Sequence, residues 1–451
     1  MAGKIENSAG NSDYTAAPVP SNERMPKGAL TMAWWGVCSA MFYIVVAATL
    51  AIQFGTRNAI IGMVLSVIAY GLINSVISRY AIRTGLSVAL FSRVLFGNFG
   101  AALATLIFFA TAVYFSVFEG SVIAMALHDY FPGIGIKMAY LIVVIYSVIL
   151  IFGSIQTWLD KLNGVLLPFY ILGLVAAVVL TISEYGYSNA WLNVGPQSGE
   201  VSHGWWNCFT YFMGVWILMM YTFDYARFGR QEDAGYHANF NFGMPFYLFT
   251  FVINGVIGIF LATTIQIEGG LSEVSIVLGL LKLMGIWGLV FVWVTQTRIN
   301  TANFYLAAVN MEAFFEKIFG IGLPKWIWAI VVGALVYVMM LANVFGYILQ
   351  ALAYQGVFVV AWVGVALTHI LSSTYDKMFS GQIEYHHERV PAFNPCGLTA
   401  WFLGTAVGLV LMHTSGTLAT FSAPATFVVS IATYALMLTR AKKQWFVIQG
   451  C

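Results

Sequence analysis

Apolar segments of about 20 residues recur along this chain, and nothing else in the sequence constrains its fold as strongly. A helix of that length spans the hydrocarbon core of a bilayer, and lipid offers no water to satisfy a backbone in any open form. Twelve such segments are read, near 31–53, 58–80, 100–127, 136–157, 163–183, 205–226, 241–265, 285–309, 326–346, 347–370, 398–414 and 418–439. Two shorter amphipathic stretches, 84–98 and 274–284, read as interfacial or re-entrant pieces ahead of the third and eighth segments. Only 8% of the residues are charged and mean hydropathy is +0.83, against roughly 25% charged in soluble domains. The expected fold class is therefore an all-α polytopic membrane protein with 12 transmembrane helices. The transmembrane domain is expected over 29–440. Residues 1–28 are polar, carry Pro18 and Pro20 and lack an apolar core, so they read as a disordered cytoplasmic tail and not a cleaved signal; 441–451 form a second tail.

Basic residues orient the chain. With both termini cytoplasmic, sixteen of the 20 Lys and Arg fall in inside segments and three (Arg57, Lys137, Lys282) outside. The remaining one, Arg298, falls within the membrane.

That arginine sits in "WVTQTRINTANFY", 293–305, deep in the eighth segment. A charge at the centre of a spanning helix costs about 2.5 to 3.5 kcal/mol on insertion scales, so such a residue faces a cavity or a partner. Glu119 lies equally deep in the third segment. Pairing with Arg298 would neutralise both charges; the alternative is that one or both face a solvated substrate site. Phe115 and Glu119 are four residues apart and share a helix face. An aromatic wall one turn from a carboxylate suits a flat, nitrogen-rich ring, stacked by one and hydrogen-bonded by the other. In the eighth segment Thr297, Asn300 and Thr301 form one stripe and Gln296, Asn300 and Asn303 another; Asn supplies both donor and acceptor for an amide edge. Trp216 is the notable aromatic of the sixth segment. "GVCSAMF", 36–42, places small and polar residues mid-way in the first. Unwinding near Ser39 and Ala40 would free carbonyls for a cation, with Thr295 or Thr297 adding a hydroxyl. Asp224, with Arg227 and Arg230, borders a charged loop and reads as an interfacial anchor and gate.

Three stretches resemble the nucleobase:cation symporter-1 family, whose cytosine permeases are nearest in motif. "PVPSNERMPKGALTMAWWG" (18–36) resembles that family's Pro-Val-Pro entry to the first span. "AIRTGLSVALFSRVLFGNFGA" (81–101) resembles its short helix before the third, and "TFDYARFGR" (222–230) its Asp-x-x-Arg-Phe-Gly-Arg after the sixth. "RINTANFY" is a looser match to its eighth span. The resemblance implies a LeuT-type fold: spans one to five and six to ten as inverted repeats, two C-terminal helices appended, and substrate bound mid-membrane between spans one, three, six and eight. It implies aromatics at Phe115 and at Trp216 or Val215 sandwiching the ring, with Glu119 and Asn300 or Asn303 reading its edge.

The implied function is import of a cytosine-, purine-, allantoin- or hydantoin-like heterocycle by Na+ or H+ symport across the inner membrane. Glu119, where a polar residue is commonly uncharged, keeps open a more basic or vitamin-like substrate, such as hydroxymethylpyrimidine, thiamine, creatinine or a guanidine. Arg298 departs from a hydroxyl-pair sodium site, which leaves proton coupling through Glu119, or the arginine itself in the cation's place, as options.

Other classes fit less well. A channel needs rings of repeated polar residues. An enzyme needs a catalytic constellation, and His386 and His387 read as a solvated loop. Four scattered Cys lack metal-ligand spacing. No cofactor, nucleic-acid partner or obligate protein partner is expected; the partners are the small heterocycle and the bilayer.

Overall fold

A computed structural model describes residues 17–152, 154–199, 201–265 and 274–448. Residues 1–16 of the expected tail 1–28, residues 449–451 of the expected tail 441–451 and the side chain of Lys161 lie outside the described residues. A helix or a broken helix lies over each of the twelve segments. The first span is Lys27–Trp35 and Met41–Phe54 around a 3-10 turn, Gly36–Ser39. The second, third, fourth and fifth are Thr56–Thr84, Ala102–Tyr130, Ile136–Leu150 and Ser154–Tyr185. The sixth is again two pieces, Gly204–Met213 and Ile217–Ala226. The seventh runs within Gln231–Thr264, and the eighth to tenth are Ile286–Phe319, Lys325–Leu341 and Val344–Leu371. Pro395–Met412 and Ser422–Thr439 complete the set. Among the described residues there is no strand beyond a single bridge, Met25 to Gly229.

By length and hydropathy seven of these helices qualify as membrane spans, and the first span adds an eighth with its two halves bent by 42°. The other four fall short for physical reasons. The fourth and ninth have only 15 and 17 residues, the sixth is interrupted, and the eighth carries the polar run of 293–305. The two amphipathic pieces are helices, Val88–Gly100 and Ser275–Met284.

The broken helices stand first and sixth, each opening a run of five spans. That is the placement an internal five-helix repeat produces. The third and eighth spans pack more extensively than any other pair, and the fourth and ninth complete that half of the molecule. The first packs on the seventh, and the second on the sixth. At Gly258 the seventh span meets the first so closely that a Cβ there would lie 2.5 Å from the Ile44 carbonyl oxygen. Trp34 is fully buried and holds the first half-helix edge-on against Tyr225 of the sixth and Phe242 of the seventh.

Residues 17–26 run across the ends of the second and sixth spans. Arg24 donates to the carbonyls of Val19, Ile82 and Gly229, and the Val19 N–H to that of Gly85. In the loop after the tenth span, His386 is exposed and its Nδ1 lies 2.6 Å from Glu384. Among the described residues no cluster of three metal-capable side chains occurs.

Candidate functional site

The first break is an ordinary helix-end problem solved by distant side chains. Ala40 leaves the helical region (φ −63°, ψ 125°), so the N–H groups of the following half-helix lose their intrahelical acceptors. Gln296, in the eighth span, supplies the repair. Its Oε1 accepts from Met41 N at 3.1 Å, while its Nε2 donates to Ser39 O at 3.4 Å and to Thr295 Oγ1 at 2.8 Å. Asn254 of the seventh span donates from Nδ2 to Cys38 O at 2.8 Å. The Ser39 hydroxyl turns back onto Gly36 O at 2.8 Å. Both amides are fully buried.

Arg298 lies one half-turn beyond Gln296. Its guanidinium rests against Gly36, where an added Cβ would lie 2.8 Å from one terminal nitrogen.

Glu119 is 1% exposed and its Oε2 has no hydrogen-bond partner among the described residues. Phe115, one turn earlier, stands edge-on to Phe42 at 5.0 Å between ring centres. Phe42 also meets Phe118 edge-on at 5.2 Å, and Phe118 stacks on Phe345 at 4.8 Å. These four rings join the first and third spans to the start of the tenth. Further buried polar atoms without a partner lie on the same elements: Tyr114 Oη, Ser116 Oγ and Ser121 Oγ on the third span, Asn300 Oδ1 and Asn303 Nδ2 on the eighth. Buried polar groups are normally satisfied, so each of these atoms has bonding capacity to offer a partner outside the described residues.

The remaining candidates are placed as follows. Asn300 donates to Ser147 Oγ of the fourth span at 2.9 Å and lies beside Gly120 of the third. Thr297 pairs with the Tyr146 hydroxyl at 3.1 Å, which also turns it to the fourth span. Thr295 donates to Phe291 O at 2.7 Å. Trp216 stands at the second break, edge-on to Phe427 of the twelfth span at 5.1 Å and to Tyr70 of the second at 6.3 Å. Its ring contacts do not include Phe115. Asp224 Oδ1 accepts from Val88 N at 2.8 Å, so this carboxylate sits on the N-terminus of Val88–Gly100, whose cap is Ser87. Arg227 stays close, its Nε 3.8 Å from the same oxygen.

Above Asp224 a cavity of about 350 Å³ opens between four spans, lined by Leu30, Ala33, Phe108, Tyr225, Tyr305 and Asn310 among others. Phe108 precedes Phe115 by seven residues, about 10 Å along the helix. The cavity thus ends roughly two turns short of the Phe115–Glu119 face.

Two participants, Gln296 and Asn254, have side chains that reading along the sequence did not assign to the break. Gln296 shares a stripe with Asn300 and Asn303, which was the available signal; Asn254 stands alone in "FVINGV".

No protein-family model matches the chain, and no curated protein matches it in sequence. Solved structures do match over nearly its whole length. Mhp1, a nucleobase-cation-symport-1 family transporter, in a closed conformation with bromovinylhydantoin bound, aligns at 16% identity over 96% of this chain and 97% of its own, with a TM-score of 0.71. Mhp1 in its inward-facing conformation aligns at 14% identity over 97% and 95%, with a TM-score of 0.73. A Na+-coupled sialic acid symporter in a substrate-bound outward-open state aligns at 12% identity over 97% and 93%, with a TM-score of 0.60. This multi-pass, all-helical membrane protein has the fold of Mhp1, as the resemblance in its motifs implied.

Proposed function

We propose that this chain is a secondary active transporter of the nucleobase:cation symporter-1 family. In this reading it lies in the inner membrane with both termini cytoplasmic. It imports a flat nitrogen heterocycle of the cytosine, purine, allantoin or hydantoin class by cation symport with alternating access. The observation that carries the reading is the Phe115–Glu119 face: a buried carboxylate whose Oε2 has no hydrogen-bond partner among the described residues, one turn from an aromatic wall, within a fold shared with a transporter that binds a substituted hydantoin.

The chemistry follows from the atoms present. Phe115 and its neighbouring rings offer apolar surface to a heterocycle's face. Glu119 Oε2 accepts from ring or exocyclic N–H groups, and Asn303 Nδ2 donates to a ring carbonyl. Such a match satisfies protein and ligand together, while a ligand lacking those groups leaves buried polar atoms unpaired at about 1 to 3 kcal/mol each. The cavity above Asp224 is the proposed cytoplasmic half of the path. Asp224, fastened to Val88–Gly100, sits at its mouth as an anchor for the second half of the sixth span.

A second reading, a substrate more basic than cytosine, is favoured by the absence of an ion pair on Glu119 among the described residues. Uptake of a labelled panel into proteoliposomes under an imposed pH gradient separates the two. The panel comprises cytosine, hypoxanthine, allantoin, hydantoin, hydroxymethylpyrimidine, thiamine and creatinine. A neutral nucleobase or hydantoin accumulating above background supports the first reading, and accumulation of a cation alone supports the second. Uptake of none, by protein that is folded and correctly inserted, removes both.

A further inference from the structure

One face of the second span changes character along its length. Ile61, Val64, Ile68 and Leu72 are all exposed, and their spacing puts them on a single stripe of Thr56–Thr84. The stripe covers about 16 Å of helix, close to the depth of about 15 Å that one leaflet of a bilayer's hydrocarbon occupies. Continued at the same period it reaches Ser75, then Arg79 and Arg83, both exposed at the end of the helix. There the second span meets the tenth at a cavity of about 350 Å³, lined by Ser75, Val76, Arg79, Tyr80, Arg83 and Ile370. The Arg83 guanidinium lies over the Tyr80 ring, 5.1 Å from its centre, which holds the charge beside the cavity. Among the described residues neither arginine forms an ion pair, and no carboxylate lines this cavity. Asp376 lines a neighbouring cavity that shares only Arg83 with it.

We propose that this face and cavity bind an anionic phospholipid from the leaflet at that end of the molecule, with its phosphodiester between Arg79 and Arg83 and an acyl chain laid along Leu72, Ile68 and Val64. The inference stands on the membrane fold and the second span, whichever substrate the protein moves. Three physical points carry it. A guanidinium donates two parallel N–H bonds to phosphate oxygens, and residues 79 and 83 stand one helical turn apart, so both forks reach one phosphate. Two like charges at that spacing repel each other, and a bound diester removes the repulsion. A zwitterionic headgroup brings its own ammonium, which meets the guanidinium groups as a like charge. The apolar stripe decides between a lipid and a soluble anion: a free phosphate satisfies the arginines but gains nothing from Leu72, Ile68 and Val64, whereas a lipid is held at both ends.

The test needs no knowledge of the substrate. Purified, delipidated protein is titrated with phosphatidylglycerol, with phosphatidylcholine and with glycerophosphoglycerol, the soluble headgroup, and bound molecules are counted by native mass spectrometry. The wild type is expected to bind phosphatidylglycerol about tenfold more tightly than phosphatidylcholine, and to show no saturable site for the headgroup alone. Arg79→Gln combined with Arg83→Gln is expected to abolish the preference. Lys442→Gln combined with Lys443→Gln, beyond the end of the twelfth span, is expected to keep it. Equal affinity of the wild type for the two lipids overturns the proposal. So does a preference that survives in the folded arginine variant, or one lost equally in both double variants, which marks a general effect of surface charge. Saturable binding of the headgroup at the lipid's own affinity overturns the lipid assignment in favour of a soluble anion. Should the arginine variant not fold, a photoactivatable phosphatidylglycerol on the wild type decides. Labelling of peptides within 61–83 and 364–376 supports the proposal, and labelling confined to other peptides overturns it.

Discussion

The side-chain carbonyl of Gln296 accepts a hydrogen bond from the backbone N–H of Met41 across 255 residues of sequence, at 3.1 Å. This one contact joins the two halves of the molecule: the eighth span belongs to the group packed around the third, and Met41 opens the half-helix that packs on the seventh. Alternating access needs such a junction, a point where one group of helices holds a discontinuity in the other.

Removal of the junction has a definite expected cost. Gln296→Ala leaves the buried Met41 N–H and Ser39 carbonyl without their side-chain partner, and a buried unsatisfied group costs about 1 to 3 kcal/mol. The unfolding temperature is expected to fall by several degrees. Gln296→Glu keeps the acceptor for Met41 but loses the donor to Ser39, and is expected to fall between the wild type and the alanine variant. Equal stability of all three in a thermal unfolding series would contradict the role assigned to this side chain.

Two glycines of the first and seventh spans differ in what a methyl group meets. At Gly258 the obstacle is the Ile44 carbonyl, a backbone atom 2.5 Å away, which cannot move without shifting a helix. At Gly36 it is the end of the flexible Arg298 side chain. Gly258→Ala is expected to destabilise by about 1 to 3 kcal/mol through overpacking. Gly36→Ala is expected to displace the guanidinium at smaller cost in stability while lowering transport. Unfolding temperatures paired with uptake rates check the order; a Gly36→Ala protein less stable than Gly258→Ala would contradict it.

Phe115 and Trp216 are expected to separate cleanly by titration of ligand binding. Phe115→Ala removes the aromatic wall beside Glu119 and should weaken the winning ligand more than tenfold. Trp216 packs on Phe427 and Tyr70, so Trp216→Phe should lower the unfolding temperature while changing affinity about threefold or less. The reverse pattern would move the binding face to the sixth span.

These contrasts show which parts of the site are legible in the sequence. Apolar length places most of the spans, and "GVCSAMF" marks the first break through its small and polar residues. The second break, between Met213 and Ile217, leaves no comparable mark. Gly214 is one glycine in an apolar run, and its reason is spatial: a Cβ there would lie 2.2 Å from the Leu352 carbonyl oxygen of the tenth span. Helix rotation is hidden for the same reason. The sequence puts Trp216 in the sixth span but does not tell which neighbour its ring meets. Arg298 is conspicuous as a charge, yet its contact with Gly36 depends on a turn more than 250 residues away.

At the mouth of the cavity, the Asp224–Val88 contact is an N-terminal cap supplied from another span. Asp224→Ala is expected to cost about 1 kcal/mol, typical of a lost cap. It should also make Val88–Gly100 exchange its first-turn amide hydrogens faster, measured by hydrogen–deuterium exchange. Asp224→Asn, which keeps an acceptor, is expected to preserve most of the protection. Unchanged exchange in the alanine variant would detach the helix from this carboxylate.

The most direct test of the account is a thermal-shift titration of the heterocycle panel on the purified wild type and on Glu119→Gln. A ligand at about 100 times its dissociation constant adds about 2.7 kcal/mol to the folded state, a shift easily read. The account predicts that one N–H-rich heterocycle stabilises the wild type and that Glu119→Gln, itself folded, loses at least tenfold in affinity for it. A ligand that stabilises both proteins equally would contradict the claim that Glu119 reads the substrate.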